Sequence, residues 1–161
     1  MKRIWAPWRI EYIRGEHEKG CVFCNVLNDP DERSRLVIHR GKLSLVMLNK
    51  YPYIGGHLLI APKRHVGELD ELKNTEKLEL MNLATKSVSV LREAMCPHGF
   101  NIGINLGQVA GAGIPEHIHI HIVPRWSGDT NFVPILGEAR IINEHLESTW
   151  ENLREKWGKN K

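Results

Sequence analysis

The sequence predicts an α+β fold, in which antiparallel strands carry helices segregated from them. Three observations predict it. Short stretches rich in Val, Ile and Leu are bounded by glycine, proline or charged turns, as strands are. Two longer stretches repeat their apolar residues at three- and four-residue spacing, as helices do. One stretch, residues 117–123, alternates histidine and isoleucine strictly before ending in valine, which is the period of a strand with two chemically different faces.

Taken in order, residues 1–20 are mixed and aromatic (Trp5, Trp8, Tyr12) and read as an arm packed on something else. Residues 36–39 and 43–48 read as two strands about a turn at Arg40–Gly41. Residues 57–61 make a third, entered through Gly55–Gly56 and ended by Pro62. Residues 75–95 read as a helix capped by Asn74, with Met81, Ala84, Val88, Leu91 and Met95 on one side and Pro97 and Gly99 beyond its end. Residues 100–106 alternate as a strand, and residues 107–113 form a glycine-rich loop leading to the histidine strand, which Pro124 closes. A second helix is expected over 138–157, with Ile142, Leu146, Trp150, Leu153 and Trp157 on one side, as a C-terminal extension.

The 161 residues suit a single domain. At 42% hydrophobic and 25% charged residues, the chain has the balance of a soluble globular protein. It contains no apolar run long enough to span a bilayer and no signal-peptide pattern at its start. A net charge of +3 is too small to imply a nucleic-acid polymer as partner. The three cysteines, Cys21, Cys24 and Cys96, are an odd number, which argues against a disulfide framework and for a reducing, cytoplasmic setting.

Period two places Ile118, Ile120 and Ile122 on one face of the strand and His117, His119 and His121 on the other. A solvated strand face has no need of three imidazoles, the side chains that titrate near neutrality. If all three bound one metal ion, His117 and His121 would have to converge from about 13 Å apart along a flat strand, which is too far for bonds of about 2 Å. Alternatively, one imidazole is a nucleophile and its neighbours orient it and bind charge. Gly111 and Gly113, just upstream, would let backbone N–H groups approach a bound phosphate.

The stretch EHIHIHIV resembles the histidine triad of the HIT superfamily of nucleotide hydrolases and transferases. The resemblance extends through LNKYPYIGGHLLIAPKRHV, NIGINLG and IVPRWSGD, and so spans roughly Cys21 to Asp129. The N-terminal WAPWR and the tail WSGDTNF are similar to the branch that includes bacterial diadenosine tetraphosphate phosphorylases. The resemblance implies a five-stranded antiparallel sheet with two main helices, continued across a homodimer. It implies that His119 attacks the α-phosphorus to form a nucleotidyl-histidine and that His121 hydrogen-bonds the phosphate or leaving-group oxygen. It also implies that Asn49 and Asn105 hold the ribose and the ribose–phosphate end. Where many relatives carry glutamine, this chain has Gly113, so phosphate contacts would fall more on backbone N–H groups, with Arg125 a further candidate.

Cys21 and Cys24 are separated by two residues, a spacing that allows zinc, redox chemistry or two ordinary side chains. A zinc site needs four ligands, and His65 and His117 are the candidates to complete it. Some HIT proteins with paired cysteines look similar, and there the zinc would be structural. His57 is expected to pack within the sheet, His17, His39, His98 and His145 to lie at the surface, Cys96 to be a buried thiol, and the tryptophans to serve packing or dimer contacts.

The expected activity is cleavage of a nucleoside 5′-phosphoryl bond in diadenosine tetraphosphate or a related dinucleoside polyphosphate, with phosphate or water as acceptor. The alternatives are a nucleoside phosphoramidate hydrolase and a purine-nucleotide binding module with little turnover.

Overall fold

The computed structural model describes residues 20–129 and 145–159. The expected N-terminal arm, apart from Gly20, and the beginning of the expected second helix lie outside these residues. Five strands, β1 (Val37–Arg40), β2 (Ser44–Leu48), β3 (Leu58–Pro62), β4 (Gly99–Ile104) and β5 (Ile120–Arg125), form one sheet in the order β1-β2-β3-β5-β4. Every neighbouring pair is antiparallel. Among the described residues there are three helices, α1 (Val22–Asn28), α2 (Asn74–Met95) and α3 (Leu146–Lys159).

The two faces of the sheet carry different loads. Val46, Leu48, Leu58, Ile60, Ile118, Ile120 and Ile122 pack with Leu80, Leu83, Ala84 and Leu91 of α2 and Leu153 and Trp157 of α3. Burial of these aliphatic side chains supplies the main driving force for folding, about 1.5–3 kcal/mol for each one fully removed from water. On the opposite face Val37, Leu45, Met47, Leu59 and Ala61 pack beneath Phe23 and Val26 of α1. The three isoleucines therefore face the core, as their alternation predicts.

A bulge between Val37 and His39 turns both Ile38 and His39 toward the α2/α3 face. Ile38 joins that core, and His39 stacks on Trp157 with ring centroids 5.2 Å apart. His39 is thus half-buried rather than a surface residue. The Trp150 indole N–H donates to the Val37 carbonyl (2.9 Å) and Arg154 donates to the Ile38 carbonyl (2.7 Å), tying α3 to β1. Both tryptophans of α3 act in packing, as expected.

Five further expectations are corrected. The histidine segment joins the sheet only at Ile120. Opposite Ile118 stands Pro62, which has no N–H to continue the ladder; Ile118 instead donates to the Val66 carbonyl (2.7 Å). Helix α2 has Lys73 as its N-cap, and its buried stripe runs through Leu80, Leu83, Ala84, Ser87 and Leu91, whereas Met81 is 61% exposed. The Glu76 carboxylate moves the cap, accepting the Lys73 N–H at 2.8 Å while Arg64 pairs with it. Cys96 ends α2 in a left-handed conformation and is exposed rather than buried. Finally, α3 begins at Leu146 with His145 outside it, and it runs to Lys159.

Candidate active site and metal cluster

On the α1 side of the sheet, His57 at the entry to β3, His121 on β5 and His119 just before β5 lie side by side. Leu59 of β3 pairs with His121 of β5, which places the end of β3 carrying His57 next to the histidine segment. His57 and His117 are fully buried and His119 is 6% exposed.

The hydrogen bonds assign a tautomer to each ring. His57 Nδ1 accepts the Tyr53 backbone N–H (3.2 Å) and faces the Asn49 amide nitrogen (3.2 Å). The His57 proton therefore sits on Nε2, which donates to His121 Nδ1 at 3.0 Å. His121 in turn carries its proton on Nε2, a buried atom with no hydrogen-bond partner among the described residues. His119 donates from Nδ1 to the His117 carbonyl at 2.8 Å, which leaves the lone pair on Nε2. The two imidazole rings lie 4.8 Å apart.

A nitrogen lone pair thus stands beside a hydrogen-bond donor that has no partner among the described residues, each fixed from behind. Burial lowers the pKa of His119, and burial together with the neighbouring His119 lowers that of His121 to about 4. Both rings are neutral at neutral pH, as a lone-pair nucleophile requires.

His57 does more than the expected packing: it is the relay that sets the His121 tautomer. The sequence shows only that His57 shares the phase of Leu59 and Ala61, and so their face of the sheet, without naming His121 as its partner. Tyr53 was also overlooked. Its ring lies nearly parallel to His121, 16° apart in plane and 5.9 Å between centroids. A third such residue is Phe23, whose ring centroid is 5.0 Å from that of His119.

Asn49 lies at the rim of this group. Its Oδ1 accepts the Tyr51 N–H (2.9 Å), so it shapes the turn that delivers Tyr53 and His57. Asn105 reaches across the glycine-rich loop toward the Gly111 carbonyl at 3.5 Å. In that loop, around the 3-10 turn Gln108–Ala110, the Gly111 N–H donates to the Gln108 carbonyl (3.0 Å) and the Ala112 N–H to that of Gly107 (3.3 Å). The Gly111 amide is therefore engaged in the turn itself, which its φ of +88° makes possible. Gly113 borders a hollow of about 380 Å³ together with Cys21, His65 and Glu116, beside the cysteine pair.

Arg125, suggested as a phosphate contact, is engaged with side chains at the end of β5. Its guanidinium makes two bonds to the Asp129 carboxylate (2.6 and 2.8 Å) and one to Asn101 (2.6 Å). A cation so committed braces the end of β5.

Cys21, Cys24, His65 and His117 converge, with their ligand atoms all within 4.8 Å of one another. Cys21 Sγ is 3.2 Å and Cys24 Sγ 3.8 Å from His117 Nδ1, and Cys24 Sγ is 3.3 Å from His65 Nδ1. A tetrahedral ion with bonds of about 2.0–2.3 Å requires ligand separations of this size. His117 donates from Nε2 to the Pro62 carbonyl (2.8 Å), which leaves the Nδ1 lone pair facing the sulfurs, the tautomer a metal ligand needs. Burial and the adjacent Cys21 raise the Cys24 pKa, so ion binding would release its proton. The donor set and its geometry fit a metal ion.

Comparisons with known proteins agree with this architecture. The sequence model of the HIT domain matches residues 31–128, more than half of the chain. The chain is 39% identical to a Mycobacterium tuberculosis protein named AP-4-A phosphorylase, over 99% of this chain and 86% of that one. It is 33% identical to an asymmetrical bis(5′-nucleosyl)-tetraphosphatase of Schizosaccharomyces pombe, over 73% of this chain and 60% of that one. Among solved structures, a zinc-bound histidine triad family protein from Mycobacterium smegmatis is similar, with a TM-score of 0.70 and 27% identity. The match covers 87% of this chain and 94% of the other.

Proposed function

Because the chain belongs to the HIT domain family, whose relatives matched here include enzymes of dinucleoside polyphosphates, we propose that it cleaves a dinucleoside polyphosphate such as diadenosine tetraphosphate through a nucleotide linked to His119. The pairing of the His119 Nε2 lone pair with the donor His121 Nε2–H carries this reading.

In the first step His119 Nε2 forms a bond to the α-phosphorus, the bridging P–O bond breaks, and the leaving oxygen takes the electron pair. His121 Nε2–H hydrogen-bonds the oxygen that gains charge, a preorganised donor in a water-poor site. In the second step an acceptor oxygen forms the new P–O bond and the electron pair of the P–N bond returns to His119 Nε2. Asn49 and Asn105, at the two rims, would hold the ribose and the ribose–phosphate end, with Gly111 and Gly113 shaping the loop between.

The four-residue cluster would hold a zinc ion in a structural role. With two thiolates and two imidazoles the shell is closed, so the ion would supply rigidity and leave the chemistry to the histidines. Strand β4 has a strand partner on only one side among the described residues, and Ile102 on it is 52% exposed. That open edge is where a second copy would extend the sheet in a homodimer. No helix among the described residues is long and apolar enough to cross a membrane.

Phosphate is the favoured acceptor, because the relative matched along nearly the whole of this chain is named a phosphorylase. Diadenosine tetraphosphate with inorganic phosphate should then yield ADP and ATP. Products of AMP and ATP, unchanged across phosphate concentrations, make the protein a hydrolase. No cleavage at all leaves a nucleotide-binding module, and the enzymatic reading fails.

A further inference from the structure

We propose that Phe23 is a positioning residue that couples the Cys21–Cys24–His65–His117 cluster to the ring of His119. The inference rests on the reading of His119 as nucleophile.

Phe23 lies within the cysteine pair, two residues after Cys21 and one before Cys24. It is fully buried, with its ring centroid 4.9 Å from that of His117 and 5.0 Å from that of His119. One side chain therefore touches both a member of the cluster and the attacking ring. The hydrogen bond from His119 Nδ1 to the His117 carbonyl fixes one ring atom. It leaves the ring able to pivot about that atom, since the terminal torsion of an imidazole has broad wells. A flat ring packed at 43° against it removes that freedom and aims Nε2.

Phe23 must itself be held. Helix α1 has seven residues, its N-cap Cys21 makes no side-chain cap bond, and its first turn carries no acidic residue. A helix this short is not stable by itself. Phe23 and Val26 bury one side of it, while Cys21 and Cys24 reach His117 and His65 at its N-terminal end. Closing the cluster fixes α1, and fixing α1 fixes Phe23 against His119. The second route from cluster to nucleophile is His117 itself, which offers Nδ1 to the sulfurs and its carbonyl to His119.

The test compares wild type, Phe23→Leu, Cys24→Ser and the double variant. Leucine keeps an apolar side chain of similar bulk without the flat ring, and so avoids the cavity that alanine would leave. Zinc is measured by elemental analysis. The tautomer of His119 is read at one fixed pH by 15N NMR of histidine-labelled protein. Steady-state kinetics with diadenosine tetraphosphate, and quenched-flow capture of the nucleotidyl adduct, report the chemistry.

Phe23→Leu should retain about one zinc per chain. Its His119 signal should change from one Nδ1–H tautomer to a mixture, and kcat should fall about 10- to 100-fold with KM unchanged. Cys24→Ser should lose zinc and show the same mixture, and the double variant should be no slower than the slower single, because loss of the cluster already releases the Phe23 contact that Phe23→Leu removes. If Cys24→Ser does not fold, the zinc-loaded Phe23→Leu protein decides by its NMR spectrum and kcat. A wild-type His119 signal with wild-type kcat in Phe23→Leu overturns the proposal, as do losses that simply add in the double variant. A change confined to KM also overturns it, by making Phe23 a nucleotide contact. Should wild type form no nucleotidyl adduct, the nucleophile reading fails instead, and the NMR comparison still judges the coupling.

Discussion

At the scale of single residues, the site works through tautomers. Tyr53 N–H fixes His57, His57 fixes His121, and the His117 carbonyl fixes His119. Each imidazole presents a defined face, one a lone pair and the other a donor. His119→Asn retains a polar side chain of similar size that cannot form the P–N bond. Turnover should fall on the order of 10⁴-fold or more while nucleotide binding, followed by calorimetry, persists. Wild-type turnover in that variant would place the nucleophile elsewhere. The alternation of residues 117–122 makes the histidine face legible in the sequence, and the resemblance it carries singles out His119 as the proposed nucleophile. The role of His57 was not legible, because nothing in a list of residues says that a buried histidine 64 positions away will donate to His121.

At the scale of elements, α2 shows how far periodicity reaches. A helix was evident from the three- and four-residue spacing, yet two adjacent stripes satisfy that spacing, one through Met81 and one through Leu80. Packing against the sheet selects the second. Leu80→Ala should cost about 2–5 kcal/mol in urea denaturation, since it opens a cavity in the core. Met81→Ala should stay within about 0.5 kcal/mol, as exposed positions do. Equal losses from the two would contradict the burial that distinguishes them. The late start of β5 has a similar cause. Alternation extends back to His117, but the ladder needs an N–H from β3 that Pro62 cannot supply, and the freed Pro62 carbonyl receives His117 Nε2–H instead.

For the whole molecule, burying a row of neutral imidazoles has a consequence for stability. His121 has its pKa lowered from 6.5 to about 4 by burial, reinforced by the neighbouring His119. Burial also lowers the pKa of His39. Within that window the unfolded chain binds the proton that the folded one excludes. Stability is therefore full above pH 6.5 and declines as pH falls toward about 4. Melting temperature should drop on acidification across this range, and the drop should be shallower in His121→Asn. An identical slope in that variant would mean that His121 does not contribute to the acid sensitivity.

Local chemistry settles what the sequence by itself determined about this protein. Strand and helix periods, the alternating histidines, the paired cysteines and the resemblance they complete gave the α+β fold, the proposed nucleophile and the four residues of the candidate metal cluster, whose convergence the structure displays. Each is a pattern within a short stretch, or a donor set whose chemistry is specific enough to be recognised before its members meet. Only the tertiary structure decided which groups face one another across the chain. It committed Arg125 to Asp129, made His57 the support of His121, and laid Phe23 between the cluster and His119. Those pairings depend on distance and direction after the sheet has closed, and a side chain's partners are set by packing rather than by its neighbours in sequence.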